Sequence, residues 1–195
     1  MSEAEEASDA ELVSRAASGE QRAFSLLMAR HKDATYRFIR RYGVDREEAY
    51  DLVQQTFVSA WSSLHRFDRE RPFPTWLRAI ALNKCRDWSR RAAVRRFLLS
   101  PLSLDSAAAE SARDPDPDPE AAALEQERQG TIAAAIAALP KSLKEPLLLT
   151  VLDGFSQKDT AALLGLTPKA VENRVARARK ELTRAIAQTS TDSAR

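Results

Sequence analysis

Apolar residues recur at intervals of three and four positions along most of the chain, which is the spacing of one face of an α-helix. No segment keeps up the alternation of apolar and polar residues that a half-buried β-strand requires. The pattern therefore predicts an all-α protein. In the first half it predicts four helices, over about residues 9–18, 20–42, 45–64 and 75–95.

Capping residues mark the ends of the first three predicted helices. Ser8 is followed three positions later by Glu11, which is the spacing of a capping box at a helix start. Gly19 and Gly43 follow the first and second apolar patterns, where a helix commonly ends in a left-handed residue. Asp45 precedes the third pattern and is a favourable N-cap.

A segment rich in Asp, Ala and Pro interrupts the helical pattern over residues 97–119. Its DPDPDP run is incompatible with a helix, because each proline disfavours helical geometry in the residue before it. The segment is predicted to be a flexible acidic linker between two small helical domains. The domains are expected at 9–96 and 120–187, with disordered ends at 1–8 and 188–195.

The second domain is predicted to be helical up to a break at Leu139-Pro140. A helix is expected to restart near Ser142, with Glu145 completing another capping box. Pro146 lies close to the first turn of that helix, and whether its missing N–H is tolerated depends on where the helix starts.

Residues 156–182 have the pattern of a helix-turn-helix. Ser156 with Asp159 is an N-cap signature, and Gly165 stands where the first helix must stop. Thr167 then caps a second helix that begins at Pro168. The apolar residues of this second helix form one buried stripe, made of Val171, Val175, Ala178 and Leu182.

The outward side of the second helix carries cationic, amide and carboxylate side chains. Such a helix fits the major groove of duplex DNA, where arginine suits guanine edges, asparagine suits adenine and glutamate suits a cytosine amino group. A solvated basic face on an ordinary helical hairpin is the alternative. The candidate DNA contacts are Lys169, Glu172, Asn173, Arg174, Arg177 and Lys180.

Charge is segregated along the chain, although the formal net charge of the 195 residues is only +2. Residues 78–96 carry seven basic side chains and one acidic one, and residues 169–184 carry six basic and two acidic ones. Residues 103–127 carry eight acidic side chains and one basic one. Polyanion binding is therefore expected at the two basic patches.

Few residues are suited to catalysis or to metal binding. Cys85 is the single cysteine, and it is predicted to be a small apolar side chain near a helix core. His31 and His65 have no metal-ligand or nucleophile pattern around them, and both are expected at the surface or its boundary. No catalytic, cofactor or metal residues are predicted. The acidic start is not a secretory signal and no apolar run is long enough to span a bilayer, so a cytoplasmic location without membrane insertion is expected.

The third and fourth helices each present a second exposed face. The third helix has a buried stripe that includes Trp61, and its opposite face holds Asp51, Gln55 and Val58, which suits contact with a protein. The fourth helix follows an arginine- and aromatic-rich loop, a combination that suits unpaired DNA because cations contact phosphates and aromatic groups stack on bases. Core packing is the favoured interpretation for the aromatic residues. The polar residues on the exposed face of the fourth helix are Asn83, Arg86 and Arg90.

The segments DREEAYDLVQQTFVSAW, RFDRERPFPTWLRAIALNKCRDWSRR and LPKSLKEPLLLTVLDGFSQKDTAALLGLTPKAVENRVARARKEL together resemble the extracytoplasmic-function sigma factors of bacterial RNA polymerase. The resemblance covers about residues 9–96 and 120–186. It implies sigma domain two, sigma domain four and the absence of a catalytic activity. It also implies that core polymerase, promoter DNA and an anti-sigma factor are partners and that no cofactor is needed.

The same resemblance implies roles for individual residues. The third helix would dock on the clamp of the largest polymerase subunit, and the second domain on the flap of the second-largest subunit. The second domain would read the minus-35 element through the helix-turn-helix residues given above. Polymerase contacts are expected from Asp51, Gln54, Gln55 and Val58, and minus-10 contacts from Phe73, Trp76, Asn83, Arg86 and Arg90.

Two other functions remain as alternatives. A sigma-like decoy would bind an anti-sigma factor without binding promoters, but it would need neither a basic recognition helix nor the exposed face at Asn83. A stand-alone helix-turn-helix regulator would leave the exposed face at Asp51 without a role. An alternative sigma factor that directs promoter-specific initiation accounts for both features.

Overall fold

A computed structural model describes residues 7–99 and 130–192 of the chain. These residues divide into two units, one of residues 7–39 and 47–99 and the other of Arg40–Arg46 with residues 130–192. All regular elements within the described ranges are helical, which confirms the all-α prediction. None of the helices in these ranges combines the length and the apolar character needed to cross a bilayer. The predicted linker from residue 100 onward, the predicted helix over 120–129 and the first six residues lie outside the described part.

The first unit contains the four helices that the sequence predicts. They are α1 (Asp9–Ala17), α2 (Gln21–Tyr42), α3 (Arg46–Ser63) and α4 (Phe73–Leu99), with a 3₁₀ turn at Leu64–Arg66 between α3 and α4. The last residues of α2, from Arg40 onward, belong to the second unit.

Helix α4 is longer at both ends than predicted. It starts at Phe73 rather than near Thr75, because Pro74 lies in its first turn, where a missing N–H leaves no helical bond unmade. It continues through Leu99, so residues 97–99, which the sequence pattern assigned to the linker, are helical.

The predicted capping box at the start of α1 is confirmed. The Ser8 hydroxyl accepts the backbone N–H of Glu11 at 3.3 Å, and the backbone N–H of Ser8 donates to the Glu11 carboxylate at 2.7 Å. The backbone bond from Ser8 and then the bond to its hydroxyl hold the pKa of the Glu11 carboxyl below its usual value. Asp9 ties α1 to α2, since it accepts hydrogen bonds from Arg30 and His31, each at 2.7 Å. His31 is only partly exposed, in agreement with a boundary position.

The core of the first unit lies among α1, α2, α3 and α4 and is formed by the apolar stripes predicted for them. Its residues include Leu12, Leu27, Phe57 and Leu77. Trp61 was predicted in the buried stripe of α3, but it is 37% exposed. The reason is its place at the flank of the stripe, where the ring of Phe24 covers only one side at a centroid distance of 4.9 Å.

The second unit contains four helices and one wide turn within its described residues. Helix α5 covers residues 130–138, α6 is Lys141–Leu147, α7 is Gln157–Leu164 and α8 is Pro168–Asp192. A π-helical turn at Leu148–Leu152 follows α6. The break at Leu139-Pro140 is confirmed. Helix α8 continues five residues beyond the boundary predicted at residue 187, so most of the predicted disordered tail is helical.

The predicted capping box at Ser142 and Glu145 is wrong. Helix α6 begins one residue before Ser142, and its N-cap is Pro140, which makes no side-chain cap bond. Glu145 is buried and accepts the hydroxyl of Tyr42 at 3.1 Å instead. Lys144, also buried, donates to the backbone carbonyl of Tyr42 at 3.1 Å. Glu145, Lys144 and Tyr42 belong to the same unit. Because the Glu145 and Lys144 side chains are buried, they need hydrogen-bond partners inside the protein, and Tyr42 provides them.

The local geometry of the helix-turn-helix agrees with the prediction. The Ser156 hydroxyl accepts the backbone N–H of Asp159 at 3.0 Å, and Gly165 ends α7 in the left-handed region with φ of 67°. The Thr167 hydroxyl accepts the backbone N–H of Ala170 at 3.1 Å, and Pro168 is the first residue of α8. These caps fix where the second helix starts and therefore which of its side chains face outward.

Candidate nucleic-acid and protein interfaces

The outer face of α3 is an exposed surface with mixed chemistry. Asp51, Gln54, Gln55 and Val58 are all exposed on it, and Val58 is exposed by 66%. The opposite side of the helix packs into the core through Leu52, Thr56 and Ala60. A single exposed valine is common on protein surfaces, so Val58 is compatible with a protein contact but does not by itself mark one.

An aromatic pair extends the α3 surface toward α2. Tyr50 is exposed, and its ring stacks on the ring of Tyr36 of α2 with a centroid distance of 4.8 Å and an interplanar angle of 29°. This pair was not predicted from the sequence. The separation of the two tyrosines along the chain gives no signal, because stacking depends on how α2 packs against α3.

The outward side of α4 presents the predicted polar residues. Asn83 and Arg90 are exposed, and Arg86 is partly exposed. The inner side of the same segment is closed by Leu82 and Cys85, which are fully buried. The burial of Cys85 confirms its prediction as a small core side chain.

The aromatic residues before and at the start of α4 form a packed cluster. Phe73 is only 3% exposed, which corrects the prediction that it contacts DNA directly. Its ring packs against the rings of His31, Phe67 and Trp76 at centroid distances of 5.4, 6.0 and 5.8 Å. Trp76 is partly exposed. Of Phe73 and Trp76, the two aromatic residues predicted to contact DNA, only Trp76 therefore offers surface to a ligand.

Glu48 of α3 holds the C-terminal half of α4 in place. Its carboxylate accepts the indole N–H of Trp88, and it forms an ion pair with Arg95 at 3.1 Å. Because α3 and α4 are linked in this way, the polar face of α4 has a defined direction relative to the outer face of α3. This role of Glu48 was not predicted from the sequence.

Arg78 is part of the basic patch in the sequence, but not of the exposed surface. It is buried, with its guanidinium 4.5 Å above the ring of Phe38, and it donates to the carbonyl of Ala34 at 3.4 Å. A cation over an aromatic face is stabilised by the ring quadrupole. Arg78 is thus a structural residue of the first unit.

The recognition face of α8 has the predicted arrangement. Lys169, Glu172, Asn173, Arg177 and Lys180 are exposed, and Arg174 is partly buried at the shoulder. Val171 and Ala178 are fully buried on the opposite side. Lys169 forms an ion pair with Glu172 at 2.9 Å, and Arg179 borders the same side of the helix as Glu172. Arg179 was not among the predicted contacts.

In the two described ranges, no group of three or more His, Cys, Asp or Glu residues is arranged to hold a metal ion. The polar surfaces of α3, α4 and α8 are therefore the candidate sites that the described residues offer.

Comparisons with known proteins assign the chain to one family. The family model of Sigma-70 region 2 matches residues 27–95, and that of Sigma-70 region 4 matches residues 129–182. The chain is 42% identical over 182 residues to RNA polymerase sigma factor CnrH of Cupriavidus metallidurans, covering 91% of this chain and 93% of that protein. It is 31% identical over 180 residues to the ECF RNA polymerase sigma-E factor of Haemophilus influenzae, covering 91% and 94%. The chain belongs to the extracytoplasmic-function sigma factors.

Solved structures support this family assignment. CnrH in complex with the cytosolic domain of CnrY matches with a TM-score of 0.69 and 37% identity over 92% of this chain and 97% of that one. The sigma factor RpoE of Bartonella quintana, solved with the anti-sigma factor NepR, matches with a TM-score of 0.67 at 23% identity over 84% and 96%, and this likeness shows the fold. As a sigma factor, the chain gives RNA polymerase promoter specificity in transcription initiation.

Proposed function

We propose that this sigma factor divides its work among three exposed faces. The outer face of α3 binds the clamp of the largest subunit of core RNA polymerase through Asp51, Gln54, Gln55 and Val58. The outward side of α4, with Asn83, Arg86 and Arg90, binds the minus-10 element, and Trp76 stacks at its edge. Helix α8 reads the minus-35 element from the major groove, and the second unit also contacts the polymerase flap.

The recognition face of α8 carries this proposal most directly. Its cap positions start the helix at Pro168, so Lys169, Asn173 and Arg177 occupy its first three turns. Those turns are the part of a recognition helix that contacts base edges. A helix with Asn and Arg on its exposed side and fully buried residues behind it matches what direct readout requires.

Regulation and chemistry follow from the same proposal. The sigma factor contributes binding energy to promoter melting and has no catalytic activity of its own. It acts in the cytoplasm and is held by an anti-sigma factor until a stress signal releases it. Two structural relatives support this proposal. CnrH was solved with the cytosolic domain of CnrY, and RpoE was solved with the anti-sigma factor NepR.

Reconstituted transcription tests the proposed function. Purified full-length chain is added to core RNA polymerase with a library of genomic promoter fragments, and transcript starts are mapped. We expect a set of starts that requires the chain and shares two sequence elements separated by a constant spacing. Binding to an anti-sigma factor without any transcript would support the decoy, and DNA binding without core polymerase would support the stand-alone regulator.

Two substitutions on α8 are expected to fail in different ways. Arg177→Ala removes a base contact, so it should cost about 1–3 kcal/mol and relax specificity at one base pair of the minus-35 element. Lys180→Ala removes a phosphate contact, so it should weaken all sequences alike and lower the slope of log K against log salt by about 1. Binding of holoenzyme to a panel of minus-35 substitutions at two salt concentrations measures both effects. Equal losses on every sequence for Arg177→Ala would remove this residue from the readers.

A further inference from the structure

The carboxylate of Glu48, in the first turn of α3, bridges two positions of α4. One of its oxygens accepts the indole N–H of Trp88, and the other pairs with the guanidinium of Arg95 at 3.1 Å. Trp88 and Arg95 are two helical turns apart, which is about 10 Å along the axis of α4. Two contacts with this separation hold both the rotation and the tilt of α4 against α3.

The part of α4 that Glu48 holds extends beyond the core of the first unit. Leu82 and Cys85 are fully buried, whereas none of the described α4 side chains after Cys85, up to Arg95, is buried. Beside this part, a cleft of about 410 Å³ lies between α4 and Gln55 of α3. Buried side chains usually decide how two helices pack. After Cys85, the contacts of Glu48 take over much of this role.

The two halves of α4 therefore differ in how their exposed residues are placed. Asn83 lies between Leu82 and Cys85 in the chain, so the buried core fixes its direction. Arg90 lies two turns later, roughly 20° from Asn83 around the helix, and its ion pair with Asp87 stays within α4. The alignment of Arg90 with Asn83 against one DNA molecule thus depends on how firmly the second half of α4 is held.

We propose that Glu48 is a positioning residue for promoter binding. Its carboxylate orders the second half of α4 before DNA arrives, so that Arg90 contacts the DNA backbone on the same face as Asn83. A flexible second half would have to be ordered during binding, and this ordering would reduce the affinity. The inference rests on the proposed function of the α4 face and adds to it a residue that acts without touching DNA.

Glu48→Ala tests this role in the binding of preformed holoenzyme to a promoter fragment from the reconstituted reaction, under conditions in which permanganate detects no melting. The affinity should fall by about fivefold. Trp88→Phe removes the indole donor without changing any charge and should weaken binding by about threefold. Glu48→Gln keeps an acceptor for the indole N–H, so its affinity should lie between those of the wild type and Glu48→Ala. Glu47→Ala removes an exposed carboxylate from the same turn of α3 and should leave the affinity unchanged.

Two double variants separate positioning from general support of the fold. In an Arg90→Ala chain the contact that Glu48 positions is already lost, so adding Glu48→Ala should weaken binding by less than about twofold. In an Asn83→Ala chain the Arg90 contact remains, so adding Glu48→Ala should again weaken binding by about fivefold. The Arg95 side chain is 58% exposed, so loss of its ion pair should cost little stability. Melting followed by circular dichroism checks this for each variant.

Three results with Glu48→Ala would overturn the inference and leave the proposed function standing. Unchanged affinity, or equal losses in the Arg90→Ala and Asn83→Ala chains, would mean that Glu48 only supports the fold. Tighter promoter binding would mean that Glu48 masks Arg95 from DNA. Weaker binding to core polymerase without DNA would mean that Glu48 contacts the polymerase. If the wild-type holoenzyme itself binds no promoter, the proposed function fails together with the inference.

Discussion

Asp51→Arg is expected to abolish stable association with core RNA polymerase. Asp51 is exposed on the outer face of α3, and its proposed partner offers a cation or a hydrogen-bond donor. Arginine at this position would place like charges in contact, for which the penalty at an interface is on the order of several kcal/mol. The affinity should therefore fall at least about 100-fold. The measurement is a titration of labelled sigma factor with purified core enzyme, followed by pull-down.

Asp33→Arg is the matched control for this experiment. Asp33 is an exposed carboxylate on α2 of the same unit, and its reversal changes the net charge by the same amount. Both variants should keep their helical circular dichroism, because neither residue belongs to the buried core. Binding of the Asp51 variant that equals binding of the Asp33 variant would show that the outer face of α3 does not dock on the polymerase.

Asn83→Ala is expected to impair promoter opening far more than initial promoter binding. Asn83 is exposed on the outward side of α4, where its amide can bond to a base only after that base has left the duplex. The loss of a good base contact is worth about 1–3 kcal/mol, so the open complex should be about 5- to 150-fold less populated. Permanganate footprinting of holoenzyme at a cognate promoter measures opening, and electrophoretic mobility measures the closed complex.

Arg86→Ala provides the contrast on the same helix. A phosphate contact exists before and after strand separation, so this variant should weaken both steps to a similar extent. Normal permanganate reactivity with the Asn83 variant would mean that Asn83 is only part of a solvated helix face.

Local features of the second unit and of α1 were predictable because their causes are local. The capping box at Ser8, the end of α7 at Gly165 and the start of α8 at Pro168 depend on residues that are neighbours in sequence. A hydroxyl at the N-cap satisfies an orphan backbone N–H two or three residues further along the same chain segment. The faces of α3 and α8 then follow from helical periodicity, and the exposure of Val58 and of Asn173 agrees with it.

The errors have tertiary causes. Ser142 and Glu145 have the spacing of a capping box, but Glu145 is buried and bonds to Tyr42, which lies about 100 residues away in the chain. Phe73 is buried by rings that come from the loop, from α2 and from its own helix. Trp61 is left partly exposed because Phe24 covers only part of it. None of these neighbours can be inferred from residues nearby in sequence.

Local sequence was sufficient for the all-α class, most helix starts and stops, the helix-turn-helix and the polar side of each helix, because capping and periodicity act over one or two turns. Only the tertiary structure decided how the polar sides combine. Glu48 sets α4 against α3, and this packing places Gln55 across from Lys84 and Arg91 to make a cleft. The physical reason is that charge complementarity between two helices depends on their relative rotation and separation, which the packing of buried side chains decides.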